Sequence, residues 1–268
     1  MFAKLLKYEW KSCVRLMTVL AACALGVAVL CGLNIRFIVA YETGKLDDAF
    51  AFAMIPSFLF LIFAYYGFII YASANHYILL YRFYKTRFTD QGYLTFTLPV
   101  KTNHIYLSSA VNILIWQAIS ITVLLACVAI IIFIGLPWKS VAMFLSAIPN
   151  AIHLFFTDFP GFIYLIYIPL TSVSSVFISM SAIVVGSVLV KRHKLLASIG
   201  ILYGASTACG MISGFVSFVI MSILLASEAN PDILMHIMPL LTVLFPVILA
   251  VVGYNLSIRL MKTKLNLS

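Results

Sequence analysis

The chain has little charge: only 9% of its 268 residues are Asp, Glu, Lys or Arg, whereas 64% are hydrophobic. Soluble domains carry about 25% charged residues, so a water-soluble fold would leave far too much apolar surface in water. No apolar segment alternates with a period of two residues, as the strands of a transmembrane barrel do. The composition therefore predicts an all-α, polytopic membrane protein.

The chain also lacks the residue patterns of several enzymes and cofactor sites. Its long apolar runs hold no acidic residue between their ends, no H-E-x-x-H motif, and no C-x-x-C pair among the five cysteines. These absences argue against carboxylate, zinc-protease and structural zinc chemistry. The Gly44-Lys45 pair lacks the first glycine and the hydroxyl residue of a phosphate-binding loop. We expect no catalysis, metal or cofactor in this chain, so that ATP and magnesium would be bound by a separate subunit.

Long apolar runs separated by charges dominate the sequence. A membrane-spanning helix needs about 20 apolar residues. Division of the chain at its charged clusters predicts six spans, near 16–39, 50–80, 103–135, 161–190, 196–226 and 235–260. We expect them to form a single transmembrane domain over residues 1–268.

The positive charges indicate how these spans are oriented. Of the 17 Lys and Arg residues, 14 precede the first span, follow the second or fourth span, or lie at the C-terminus, whereas six of the eight acidic residues lie in the alternate loops. The positive-inside rule predicts a multi-pass protein of the plasma membrane with both termini in the cytoplasm. Because the cations form short groups at span ends rather than one basic face, no nucleic-acid partner is expected.

The first 15 residues have a pattern of their own. Apolar residues recur at helical spacing, and cations cover much of the remaining circumference: Phe2, Leu5, Leu6 and Trp10 against Lys4, Lys7, Lys11 and Arg15. This pattern predicts an amphipathic helix, residues 1–15, that lies in the inner membrane interface with lipid as its partner. An ordinary basic flank of the first span is the alternative.

The fifth predicted span is rich in small residues, including Gly200, Gly204, Gly210 and Gly214. Glycines at such spacing let helices pack closely in a membrane, and close packing is the interpretation we favour. A mobile surface along a transport pathway is the alternative.

Between the second and third predicted spans lies a long polar segment, RFYKTRFTDQGYLTFTLPVKTNH, residues 82–104. Connections between neighbouring helices usually take 2 to 8 residues, so this segment either has a function or is a spacer. Thr89 or Asp90 is a candidate N-cap, apolar residues follow, and Pro99 is a stop signal. The pattern predicts a short cytoplasmic helix whose apolar side chains dock into a groove on a soluble partner.

The order of these features resembles the membrane subunit, or permease, of exporter-type ABC transporters of the type-2 family. In that family a cytoplasmic coupling helix between spans 2 and 3 has an acidic residue, any residue, Gly, a short apolar stretch, then Pro and a basic residue. Here Asp90, Gly92, Pro99 and Lys101 occupy the corresponding positions. The variant TDQGYLTFTLPV is similar to permeases of Gram-positive, gut-type bacteria.

The chain departs from the family on its predicted outer side. The family often has a re-entrant hairpin between spans 5 and 6, where this chain has only the short segment 227–239. Its longer outer segment, residues 136–160, follows the third span instead.

The resemblance implies that the chain is the transmembrane half of an ATP-driven exporter. Two permeases, identical or related, pair around a central route, and each coupling helix binds an ABC ATPase subunit. The docking residues that the resemblance implies are Arg87, Thr89, Asp90, Gly92, Tyr93, Leu94, Leu98 and Pro99. The weakly polar spans predict an amphipathic cargo such as a peptide, a drug or a lipid.

Two other functions remain open from the sequence. One is a membrane scaffold or sensor component that recruits a cytoplasmic partner without moving a cargo. The other is a carrier or channel driven by an ion gradient, although the spans lack the charged residues that proton and sodium relays use.

The predicted orientation is testable by cysteine labelling. A Tyr93→Cys variant should resist a membrane-impermeant thiol reagent in intact cells and react only after the inner membrane face is exposed. A Lys45→Cys variant, in a predicted outer loop, is the matched control and should react in intact cells. Labelling of Tyr93→Cys from outside would contradict the predicted topology.

Overall fold

The computed structural model describes residues 2–44, 48–89, 92, 100–157, 159–190, 193–226 and 231–263. Within these ranges the chain is almost entirely helical and has no strand, which confirms the predicted all-α class. The helices are α1 (Phe2–Glu42), α2 (Met54–Phe88), α3 (Thr102–Gly135), α4 (Trp138–Thr157), α5 (Phe159–Leu189), α6 (Lys194–Ala226) and α7 (Pro231–Thr263), with a 3-10 helix, Asp48–Ala53, before α2.

Five helices in the described ranges are long and apolar enough to cross a bilayer. They are α1, the helical region Ala51–Phe88 that includes α2, α3, residues Ile166–Leu189 of α5 and residues Lys194–Ile223 of α6. This supports the expectation of a multi-pass membrane protein. The sixth predicted span, 235–260, falls within α7, and its ability to cross a membrane stays a prediction.

The N-terminal helix differs from the predicted boundaries. α1 runs without a break from Phe2 to Glu42, so no separate helix over residues 1–15 precedes the first span. Residues 2–15 contain neither Gly nor Pro, and nothing in their local sequence interrupts a helix. The amphipathic in-plane segment is therefore not confirmed, and its position at the interface stays a prediction.

The structure also contains a helix that the sequence analysis did not predict. α4 occupies most of the segment between the third and fourth predicted spans. Pro149 lies inside this helix. A proline ordinarily signals a helix end because it has no N–H to donate to the carbonyl four residues earlier, so the local sequence argues against a continuous helix here.

The contacts between residues divide the chain into two compact units. Unit 1 consists of Met1–Leu6, Leu80–Leu114 and Ile152–Ser268, and unit 2 consists of Lys7–Leu79 and Ile115–Ala151. The single transmembrane domain over residues 1–268 stays a prediction.

In unit 1, α5 packs against both α6 and α7. Val176, Met180 and Val184 form a fully buried seam along α5 at helical spacing. α5 and α6 approach so closely that a Cβ added at Gly186 would lie 2.5 Å from the Cα of Ser198. Glycine at position 186 is therefore required for this helix pair to pack as it does.

The Ser- and Thr-rich stretch of α5 satisfies its hydroxyl groups within the helix. The hydroxyls of Ser172, Ser174 and Ser179 donate to the carbonyls four residues earlier, at 2.9, 2.8 and 2.6 Å. Bonded in this way, serine acts as a small packing residue and leaves no unmet donor in an apolar environment. These three hydroxyls are therefore suited to close helix packing rather than to lining a polar pathway.

In unit 2, α1 and α3 cross at a pair of glycines. A Cβ at Gly32 would lie 2.8 Å from the Cβ of Ile134, and a Cβ at Gly135 would lie 2.9 Å from Cγ2 of Ile35. Each glycine thus makes room for a β-branched side chain of the other helix. A buried cluster of Ala24, Ala28, Tyr71 and Cys127 holds α1, α2 and α3 together elsewhere in this unit.

Two aromatic and polar contacts add to the packing of unit 2. Trp10 of α1 stacks on the buried Trp116 of α3, with ring centroids 4.6 Å apart. Gln117 Nε2 lies 2.8 Å from His76 Nδ1 and donates to that nitrogen where it is unprotonated. The contact pairs one polar group of α2 with one polar group of α3, a kind of bond that links helices within a membrane.

The four glycines of the fifth predicted span do not pack as expected. No described atom lies within 4 Å of the Cβ position of Gly200, Gly204, Gly210 or Gly214. Close packing against the described part of this chain therefore does not explain these glycines of α6.

The crossing of α1 and α3 gives a stability prediction with a matched control. Gly32→Ala should lower the free energy of unfolding by about 1–2 kcal/mol, because the added methyl group overlaps Ile134 and one of the helices must shift. Gly26→Ala on the same helix meets no side chain or other helix among the described residues within 4 Å. It should leave stability unchanged or raise it by up to about 1 kcal/mol through helix propensity. Unfolding of the purified protein in detergent measures both, and equal effects would contradict the close crossing.

Candidate coupling site

The structure describes three of the eight residues predicted to bind an ATPase subunit. Arg87, Thr89 and Gly92 lie at the end of α2 and just beyond it. The other five lie outside the described residues: Asp90, Tyr93, Leu94, Leu98 and Pro99. The coupling helix itself is therefore not confirmed, and the site is built here from the residues at its two ends.

Arg87 is turned into unit 1 rather than toward solvent. It is only 6% exposed, and its Nη2 lies 3.5 Å from the Ser109 hydroxyl on α3, at the long end of the hydrogen-bonding range. A guanidinium held between the end of α2 and the start of α3 fixes the two ends of the segment relative to each other. Its role in docking a partner stays a prediction.

Thr89 and Gly92 form a tight turn after α2. The Thr89 hydroxyl donates to the Lys85 carbonyl at 2.5 Å, and the Gly92 amide donates to the Thr89 carbonyl at 2.7 Å. Gly92 is buried, and a Cβ at this position would lie 2.8 Å from the carbonyl carbon of Arg87. Glycine is required here because the backbone folds directly onto the last turn of α2.

An aromatic cluster in unit 1 joins both ends of the segment to two further helices. It consists of Phe83, Phe88, Tyr106, Phe177 and Tyr254. Tyr106, fully buried at the start of α3, makes the central contacts. Its ring centroid lies 6.0 Å from that of Phe83 on α2, 6.1 Å from that of Phe177 on α5 and 5.5 Å from that of Tyr254 on α7.

These ring contacts form a continuous path through unit 1. Phe88, at the end of α2, meets Phe83 at 5.8 Å in an edge-to-face arrangement, and Phe177 meets Tyr254 at 5.7 Å. Edge-to-face aromatic pairs contribute about 0.5–1.5 kcal/mol each beyond their buried area. A displacement at the end of α2 therefore meets well-packed rings that lead to α5 and α7.

The amino end of the chain lies beside the far end of the segment. The ring of Phe2 is 6.3 Å from that of His104, near the start of α3. Both residues belong to unit 1. The end of α2, the start of α3 and the first residues of α1 thus belong to one compact structure around the segment.

The described residues at the two ends of the segment make packing contacts and hydrogen bonds. In the parts of the chain that the structure describes, no three His, Cys, Asp or Glu side chains come together as metal ligands do. No protein family, curated protein or solved structure matches the chain. Functional inference therefore rests on the residues, their packing and the resemblance in layout.

Sequence analysis missed the aromatic cluster. Phe177 and Tyr254 lie 89 to 171 residues after Phe83 and Phe88, and no sequence spacing links side chains on different helices. The available signal was weak: Tyr106 lies two residues after the polar segment and precedes the small residues Ser108 and Ser109, which mark a closely packed helix face.

The turn after α2 gives a prediction that limited proteolysis can measure. Gly92→Ala should open the turn at a cost of about 1–3 kcal/mol, because the added methyl group overlaps the Arg87 carbonyl group. Tryptic cleavage after Lys85 and Arg87 should then accelerate by about fivefold or more.

Gly200→Ala is the control, because within the described ranges no side chain or other helix lies within 4 Å of that Cβ position. Its cleavage rate at the same two bonds should equal that of the unsubstituted protein. Unchanged cleavage in Gly92→Ala would show that the backbone does not fold onto the end of α2.

Proposed function

We propose that this chain is the permease subunit of an ATP-driven, type-2 ABC exporter. In this proposal residues 82–104 lie in the cytoplasm and bind an ABC ATPase subunit that supplies the energy. The observation that carries the proposal is the aromatic cluster, which links the end of α2 and the start of α3 to α5 and α7. A docking segment attached to mobile loops would transmit little force; one attached to a packed cluster can move helices.

The mechanism follows from this attachment. Closure of the ATPase subunits on ATP pushes the segment, and the buried Arg87 and Phe88 pass the displacement to the start of α3 and to the aromatic cluster. α5 and α7 then move as rigid bodies, because packed cores shift between discrete arrangements rather than deform continuously. ATP binding thereby shifts the population between inward-open and outward-open states.

The proposal includes a second permease copy, identical or related, so that two chains enclose the route. Each contributes half of the pathway and one coupling helix. The cargo class we propose is amphipathic, because the Ser and Thr hydroxyls between Thr171 and Ser181 of α5 donate to carbonyls of their own helix and offer few free polar groups. A peptide, a drug-like molecule or a lipid fits such a surface, whereas a sugar needs many hydrogen bonds.

Copurification with the ATPase subunit tests the proposal. The unsubstituted chain, expressed with its genomic neighbours, should retain a nucleotide-hydrolysing subunit through purification. Leu94→Asp should reduce this binding at least about tenfold, because an unpaired carboxylate in an apolar contact costs more than about 1.4 kcal/mol. Lys262→Ala, an exposed cation at the end of α7, is the control and should retain the subunit.

Two outcomes would replace the proposal with an alternative. A stable complex that contains no ATPase would favour the scaffold or sensor function. Transport that stops on addition of an ionophore and persists after ATP depletion would favour a gradient-driven carrier.

A further inference from the structure

The helix that the sequence did not predict, α4, has an unusual surface. Four polar residues, Lys139, Ser146, Asn150 and His153, follow one another at spacings of seven, four and three. At 100° per residue these spacings keep all four on one narrow stripe of the helix. These four residues form a polar stripe. Most of the remaining circumference of the helix is apolar.

Most of the apolar side of α4 is not covered by the described part of the chain, except at Val141 near the start of the helix. Trp138 is 70% exposed, and Phe144, Leu145 and Ile152 are exposed as well. Val141 is the one buried side chain among those that the structure describes on this helix. A helix with this surface would aggregate in water, so its apolar side requires an apolar environment.

The length of α4 does not by itself show how it meets the membrane. Its 20 residues would measure about 30 Å, which equals the hydrocarbon thickness of a bilayer. The charges decide between spanning and lying flat. If α4 crossed the membrane, every helix after it would reverse direction, and the basic groups Lys191–Lys194 and Arg259–Lys264 would move to the outside. That arrangement contradicts the positive-inside rule, so α4 does not cross.

We propose that α4 lies in the plane of the outer membrane interface and binds lipid. Ile148 and Ile152 enter the acyl region while the polar stripe faces the headgroups and water, with Lys139 beside lipid phosphates. Trp138 sits at headgroup depth, three residues after the spanning helix α3 ends. Pro149 fits this position, because water among the headgroups can bond the Leu145 carbonyl that the proline leaves without its helical donor.

Tryptophan quenching by brominated lipids tests this placement, which does not depend on the transport function. Substitution of the three native tryptophans by Phe gives a background into which single tryptophans are placed, in the full chain reconstituted in vesicles. Ile148→Trp and Ile152→Trp should both be quenched about twofold or more strongly by bromines near the headgroup than by bromines near the chain end, since an interfacial helix enters only about 5–10 Å. Asn150→Trp, on the polar stripe, should instead be quenched by aqueous acrylamide.

A tryptophan at Leu125 of α3, about 15 Å along the helix from its end at Gly135, provides the reference for the bilayer centre. Strong quenching of Ile148→Trp by bromines near the chain end, equal to that of Leu125→Trp, would show a spanning helix and overturn the proposal. Weak quenching of both Ile148→Trp and Ile152→Trp by all brominated lipids would show that protein or water covers the apolar side of α4. This result would also overturn the proposal. Ile152→Trp keeps the test decisive if Ile148→Trp fails to fold.

Discussion

The hydrocarbon core of a bilayer offers no hydrogen-bond partner to a peptide group, and this constraint governs the whole chain. A helix satisfies its backbone internally, so segments that enter hydrocarbon become long helices such as α3. The same constraint acts on side chains. Ser174 and Ser179 donate to their own helix, and Gln117 meets His76 across two helices. Exposed apolar surfaces would cause aggregation of a soluble protein. In a bilayer the same surfaces, including the exposed rings of α2 and α6, are suited to lipid contact.

Because lipid is as apolar as the side chains, hydrophobic burial does not hold these helices together. Close contact has to supply the attraction, and the structure obtains it in two ways. At Gly32 and Gly135 of unit 2 and at Gly186 of unit 1, a missing side chain lets backbones approach. Around Tyr106, large rings meet edge to face or stacked and fill the space between four helices. The glycine contacts suit helix pairs that keep one arrangement. The aromatic cluster instead fills a volume that several helices line at once.

The sequence predicts helices better than it predicts their partners. The length and hydropathy of the apolar runs were sufficient to predict the all-α class, because each run indicates a helix without reference to any other part of the chain. The glycines show why packing was harder to predict. Gly200 and Gly204 have the spacing of a packing motif, yet their Cβ positions meet no side chain or other helix in the described part of the chain within 4 Å. Gly186, which has no other glycine within ten residues, touches Ser198. Spacing describes one helix face and does not reveal what lies opposite. The segment 82–104 was singled out by its polarity and its Gly92, and its coupling role stays a prediction. The rings that pack at its ends come partly from helices distant in sequence.

The contact between Phe2 and His104 has a consequence for biosynthesis. The first ring leaves the ribosome about one hundred residues before its partner, which at typical translation speeds is an interval of roughly 5–20 s. During that interval two hydrophobic helices are already being delivered to the bilayer while the amino end has no native neighbour. Its basic side chains can be held meanwhile by anionic headgroups, so that the start of the chain waits at the membrane surface until the third helix is made.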